Sequence, residues 1–398
     1  MYLSLFFNKF VTMNCYRHIV CLLALVVSSV SCVYDFQPDY QGQVGYVAIE
    51  GDILIGESCT FTARLSTDLL DPENEDVPVV CRFRVEASDG TVFPAGSGGR
   101  VDLTGADPFL EYRLVAEMTA PFRRTYVSSW APVQISAPID SLSWSIDAAE
   151  SRLCVNVSTH ADGPCGYYRW TAHETWEYHA TYYADHFFAF AGSEYKGRKL
   201  SVDAIVEYED GENTYYCWKD AERTDILLAE TTGLSEDRLV HHTLYSFSKT
   251  DRKVSHIYHV ALTQYRLSDD AYRYWENLST NSQDVGGLFS PEPSELSGNL
   301  TCLEDPDELV LGFVNVSTCT RSQLFIDNAV TRFSRWRGPA YGEVIPLPSD
   351  YPKYYGWQYR PAWYVEGKGW AWLPKECVDC RTSGGTKDRP SWWINNDK

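Results

Sequence analysis

The sequence is poor in basic charge. Its 34 Lys and Arg face 54 Asp and Glu, a formal net charge of −20. Residues 1–31 hold Lys9 and Arg17 and no acid, so the remainder is more negative still. Such a body repels nucleic acid and anionic headgroups, which argues against a phosphate-backbone partner and a polybasic membrane face. Beyond Cys32 the chain also lacks any apolar run of the roughly 20 residues a spanning helix needs. It carries no Gly-rich phosphate loop, no Gly-x-Ser-x-Gly elbow and no calcium loop of EF-hand spacing. No internal repeat of solenoid period and no low-complexity tract are present. Acidic pairs follow from the composition and are no evidence for glycosidase chemistry. The sequence therefore assigns no catalytic residue, no metal and no cofactor, and the expectation is a protein that is not an enzyme.

What is present begins at the N-terminus. Arg17 and His18 precede the apolar run 19–27, then the small residues Ser28, Ser29 and Ser31, then Cys32. A positive start, a short apolar core, small residues and a cysteine make a secretory signal of the lipoprotein type. Cys32 becomes the new N-terminus and carries acyl chains such as palmitate, and more than one chain meets the two-signal requirement for stable anchoring. Met13 gives a signal of conventional length. Val33-Tyr34-Asp35-Phe36 holds one acid and no strong acidic export signal, so a periplasmic and a cell-surface placement both stay open.

Aromatic and β-branched residues dominate the rest, helical periodicity is scarce, and turn residues recur at short intervals. The expected fold is mainly β, with two immunoglobulin-like β-sandwich units. After the signal peptide (1–31) and a linker (32–44) come a first sandwich at 45–138 and a second β-rich domain at 139–335. The tail, 336–398, is expected to be irregular and pinned by aromatic packing. One short helix is predicted near 268–281. Ser268 is its N-cap, Asp269 and Asp270 favour its first turn, and Ala271, Trp275 and Leu278 share a face. Nine cysteines follow Cys32: Cys59, Cys81, Cys154, Cys165, Cys217, Cys302, Cys319, Cys377 and Cys380. In an exported chain they read as disulfides, with at least one thiol left over.

Several segments together resemble the domain of unknown function 4249 family of Bacteroidota lipoproteins. They include Tyr216-Cys217-Trp218, Leu234-Ser235-Glu236-Asp237, Gln264-Tyr265-Arg266-Leu267-Ser268 and Ala271-Tyr272-Arg273-Tyr274-Trp275. Further on stand Gly298-Asn299-Leu300-Thr301-Cys302, Leu311-Gly312-Phe313, Cys377-Val378-Asp379-Cys380 and Pro390-Ser391-Trp392-Trp393. Residues 338–372 are the stretch least like the family. The resemblance implies an outer-membrane lipoprotein often found beside TonB-dependent receptors, and no reaction.

Three constellations carry chemistry. His173-Glu174-Thr175-Trp176-Glu177 has Glu177 where a zinc-protease helix needs a second His, and Tyr168, Trp170, Ala172, Glu174, Trp176 and Tyr178 share a strand face instead. The expectation is a β-strand with paired His and Glu, and a metal-dependent hydrolase here, with His179 and His186 as further ligands, is the weaker alternative. Cys377 and Cys380 have redox or half-zinc spacing, but the loop-like surroundings favour structural disulfides. At least one of them is expected to tie the tail to an earlier strand, with Cys302 the leading candidate partner. In the tail, Trp357, Trp363, Trp370 and Trp372 are candidate ligand- or partner-binding residues, since flat rings stack on sugars and anchor interfaces. Their other reading is plain core filling. The leading functional expectation is an accessory lipoprotein held in outer-membrane lipid by acylated Cys32 and partnering a TonB-dependent receptor in nutrient uptake. A stand-alone, adhesin-like protein binding a glycan or peptide is the alternative.

Overall fold

Alternation of apolar and polar residues sets the architecture. The computed structural model describes residues 46–65, 78–209, 212–283, 298–338 and 342–394. Cys32, the signal and the linker lie outside them. The protein is mainly β, with several sheets and a few short helices.

In the first region, Val47–Glu50 pairs antiparallel with Thr62–Leu65. Beside it a larger sheet runs in the order Leu300–Cys302, Arg124–Ser128, Glu111–Ala120, Val80–Ala87, Val92–Pro94. Phe83, Val85 and Ala87 alternate inward with Tyr112, Leu114, Ala116 and Met118, and meet Val47, Ile49 and Phe61 in one buried cluster. Ser88-Asp89-Gly90 makes a turn: the Gly90 amide donates to Ala87 O at 3.0 Å, with Gly90 at φ 91°.

That region is completed from far along the chain. Residues 298–317 return to it: Leu300–Cys302 joins the larger sheet, while Val310–Leu311 and Val316–Ser317 run parallel to Val47–Glu50 and Ile53–Leu54. The approach is close enough to dictate glycine. A Cβ on Gly312 would stand 2.0 Å from Ile49 O, and one on Gly298 would stand 1.7 Å from Gly312 O. Asn299 fixes the return by exchanging two hydrogen bonds with the Val314 backbone, at 2.8 and 2.9 Å.

The second region has two sheets. Ile139–Asp147, Arg152–His160 and Arg238–Ser248 form one. The other orders Tyr216–Glu222, Tyr167–His179, Ile257–Leu267 and Cys319–Asp327, with Leu227–Glu230 also paired to Tyr167–His179. The strand Tyr167–His179 turns Tyr168, Trp170, Ala172, Glu174, Trp176 and Tyr178 inward, the face expected from the period of two. All of these but Glu174 share one cluster with Leu153, Val155, Val157, Tyr245 and Phe247 of the facing sheet. The helix spans Asp269–Gln283, and the Ala271 amide donates to Ser268 Oγ at 3.2 Å, as the cap requires. No helix among the described residues is long and apolar enough to cross a membrane.

The tail is more regular than expected. Tyr359–Val365 and Gly369–Pro374 form an antiparallel hairpin. Gly367 (φ 72°) and Gly369 (φ 115°) take the turn conformations that a side chain would strain. Short helices at Tyr351–Gly356 and Lys375–Val378 flank it. Ala362, Leu373, Cys377 and Val378 make a third small core with Ala184, Tyr182 and Trp363, so residues 182–184 and 362–378 pack together.

Candidate functional site in the aromatic tail

A covalent clip joins this tail to the second region. Cys380 is bonded to Cys217 in the strand Tyr216–Glu222. The tail is thus tied to an earlier strand, but the expected partner, Cys302, is wrong. Cys302 sits in the first region, buried at the sheet edge with Sγ near Glu304, and burial pushes its thiol up to about 11. Cys377 is a buried thiol, also pushed up by burial to about 11. The wider disulfide framework is corrected too: Cys217–Cys380 is the single disulfide among the described residues. Hydrogen bonds surround the clip. Tyr178 OH and the Cys380 amide donate to Cys380 O and Thr214 O respectively, both at 2.9 Å, and Thr214 Oγ1 donates to Val378 O at 3.0 Å. Closing a loop of 163 residues, the bond contributes about 2–4 kcal/mol, chiefly by restricting the unfolded chain.

The four candidate tryptophans do not make one platform. Trp372 is fully buried between Phe188 and Tyr351, with ring centroids at 5.7 and 5.1 Å, so it fills core. Trp363 is half-buried against Tyr182, and Trp370 is half-buried between His186 and Tyr364. Trp357 stands 57% exposed, with the Lys353 ammonium 4.5 Å from its ring centre. Only Trp357 offers most of its surface to a partner.

The His and Glu candidates separate by strand face. His173 Nδ1 lies 2.8 Å from Glu222, and His179 Nε2 lies 2.9 Å from Glu177, both on the outer face. Glu174 points the other way, into the core, where Arg223, Lys253 and Tyr258 hold it. Burial alone would raise the Glu174 carboxyl, but those partners outweigh it and hold it below the usual carboxylate range. His186 is elsewhere, paired with Asp185 at 2.6 Å. Glu174 cannot join His173, Glu177 and His179 at one metal site, because alternate residues of a strand face opposite ways. Among the described residues no three His, Cys, Asp or Glu side chains gather as a metal site would need.

What the tail does build is a small pocket of about 170 Å³. His186, Phe187, Phe188 and Tyr208 come from one chain segment, and Tyr355, Arg360, Lys375, Asp379 and Arg381 from the other. Trp370 and Trp372 support its wall from behind, through His186 and Phe188. Asp379 is nearly buried. Burial raises its carboxyl, but the side-on Arg381 guanidinium, bonded to both oxygens at 2.8 Å, brings it below its ordinary value. Arg360 lies 3.9 Å from the Tyr355 ring centre and donates from Nη1 to Tyr355 O and Tyr359 O, at 3.1 and 2.7 Å. Arg360, Lys375 and Tyr208 escaped the sequence reading. Its one available signal was basic residues spaced among aromatics in an otherwise acidic chain.

The family model for a domain of unknown function, DUF4249, matches residues 57–323. The chain belongs to the DUF4249 family. The matched stretch takes in both ends of the return strands and the Glu57–Arg321 ion pair. It stops before the tail, so the pocket's second wall, the clip residue Cys380 and Trp392-Trp393 lie beyond it. No curated protein matches the chain.

Proposed function

We propose that this DUF4249 protein is a lipid-anchored accessory protein of the outer membrane. It binds a TonB-dependent receptor and aids nutrient uptake, with acylated Cys32 keeping it in the plane of its partner. One observation carries the reading: the tail, outside the family-matched stretch, is folded into a hairpin, clipped to the second region by Cys217–Cys380, and exposes Trp357 and Tyr364. A rigid mount with exposed rings is what a binding surface needs, since ordering costs are met before the partner arrives. The acidic body supports an acyl anchor, because it supplies no polybasic attachment of its own. The second reading, a stand-alone surface protein binding a glycan or peptide, is favoured by the pocket, which is complete within one chain.

The test is extraction of the intact lipidated protein in mild detergent, followed by identification of what co-purifies. The expected result is a TonB-dependent receptor that is retained by the native protein and reduced with Trp357→Ala. A protein that extracts alone under conditions preserving other envelope complexes removes the receptor role. In the same preparation, Cys32→Ser should leave the membrane fraction, and its retention there would refute the anchor.

A further inference from the structure

The pocket in the tail has the wrong charge for the protein that holds it. In a chain of net −20, it gathers Arg360, Lys375 and Arg381 around a single carboxylate, Asp379. That carboxylate is already committed: it accepts from Arg381 Nε, Nη2 and the backbone amide. Among the described residues, the Lys375 side chain has no hydrogen bond or ion pair, and Arg360 makes no ion pair. Arg360 is nonetheless held firmly, by its stacking on Tyr355 and its two carbonyl bonds, and these use Nη1 alone. Its Nε and Nη2, the side-on pair that fits a carboxylate, are left over. Burial works against the Arg360 charge and outweighs the help it gets from nearby Asp379, which Arg381 already pairs.

Size and walls narrow the ligand. At about 170 Å³ the pocket is smaller than the roughly 300 Å³ at which drug-sized sites begin, so it admits an end group or a single ring. Phe187 and Tyr208, 4.9 Å apart between ring centres, give it flat apolar surface beside the cations. A ring with one apolar face and one carboxylate matches both features. We propose that this pocket binds the uronic-acid residue of an acidic glycan, with Arg360 and Lys375 recognising its carboxylate. The inference rests on reading the tail as the ligand-facing part of the protein, but it requires no receptor.

Calorimetric titration of the full purified chain with D-glucuronate, D-glucose and N-acetylglycine tests it. Glucuronate should bind at least about ten-fold more tightly than glucose, the usual effect of a charged hydrogen bond. Lys375→Gln, which breaks no internal bond, should weaken glucuronate by roughly ten-fold, and Arg360→Gln by more, both without changing the glucose titration. If Arg360→Gln does not fold, Lys375→Gln still decides. Glucuronate binding no tighter than glucose, or unaffected by Lys375→Gln, overturns the proposal. Tighter binding of N-acetylglycine than of glucuronate would overturn the sugar assignment in favour of a peptide carboxyl end. Receptor co-purification, read without any sugar, can fail or succeed independently.

Discussion

The paired sheets of the second region and the clipped tail treat charge in opposite ways. Inside the sheets, acids and bases are matched. Glu174 is held by Arg223 and Lys253, and Asp237 by Arg266, each carboxylate essentially buried. In the tail, Arg360 and Lys375 share a pocket whose one acid is taken by Arg381. Aromatic rings divide along the same line. Tyr168, Trp170, Trp176 and Tyr178 are all buried, whereas the tail buries Trp372 and exposes Trp357 and Tyr364. The difference teaches where to look for function. A buried charge with its partner beside it is accounted for by the fold, while one held in place without a partner is set up for something outside the chain.

The sharpest way to break the comparison is Glu174→Ala. It leaves Lys253 with no carboxylate and Arg223 with only the exposed Asp225, and should destabilise by about 3–5 kcal/mol in urea unfolding. A loss below about 1 kcal/mol would mean that the matched core charges matter no more than surface pairs.

Trp372→Ala comes next. Removing a fully buried indole from between Phe188 and Tyr351 should cost about 3–5 kcal/mol, or release the tail as a locally unfolded unit. Hydrogen exchange at 359–374 distinguishes the two, and normal protection with unchanged stability would return Trp372 to the list of ligand-facing residues.

Acid should weaken the sheets through histidine. Burial, and then the charge of His179 stacked 3.5 Å away, lower His256 to about 4. Glu177 and Asp327 oppose that fall, and Arg252 adds to it. In the unfolded chain His256 takes its proton near pH 6.5, at about the model-peptide value. The unfolded state therefore binds more protons between these values. Stability from this group is complete above about 6.5 and is lost as pH falls toward 4, by up to about 3 kcal/mol. His242 and His259, both lowered by burial, act with the same sign. The depressed carboxyls of Glu174 and Glu177 add their losses only below about pH 4.3. Between about pH 7.5 and pH 5 the wild-type unfolding midpoint should drop, and the drop should shrink in His256→Gln. An equal drop in both proteins would remove His256 from the explanation.

The smallest effect belongs to Trp357→Ala. An exposed ring contributes little to folding, so stability should stay within about 0.5 kcal/mol while receptor capture falls. A large loss of stability would place Trp357 with the core aromatics and blur the comparison.

Much of the strand layout was open to reading because it is local. The inward face of Tyr167–His179 follows from alternation, and the helix start follows from Ser268 with two acids behind it. The site was less legible. Trp357, Trp363, Trp370 and Trp372 look alike in sequence, yet one is core and one is exposed, because a hairpin's two faces depend on what it packs against. The sequence reading favours Cys302 as the tail's partner, whereas the bond goes to Cys217, since spacing carries no information about which strands meet across more than a hundred residues.

By itself the sequence determined a mainly β chain of the DUF4249 family, the periodicity of its long strands and the position of its helix. All of these are encoded over a few neighbouring residues or in motifs read in order. Only the tertiary structure decided the Cys217–Cys380 clip, the return of 298–317 to the first sheets, and the pocket that sets Arg360 and Lys375 beside one acid already paired with Arg381. Those features depend on residues far apart in the chain arriving within a few ångströms of one another, and the packing of whole sheets sets that proximity.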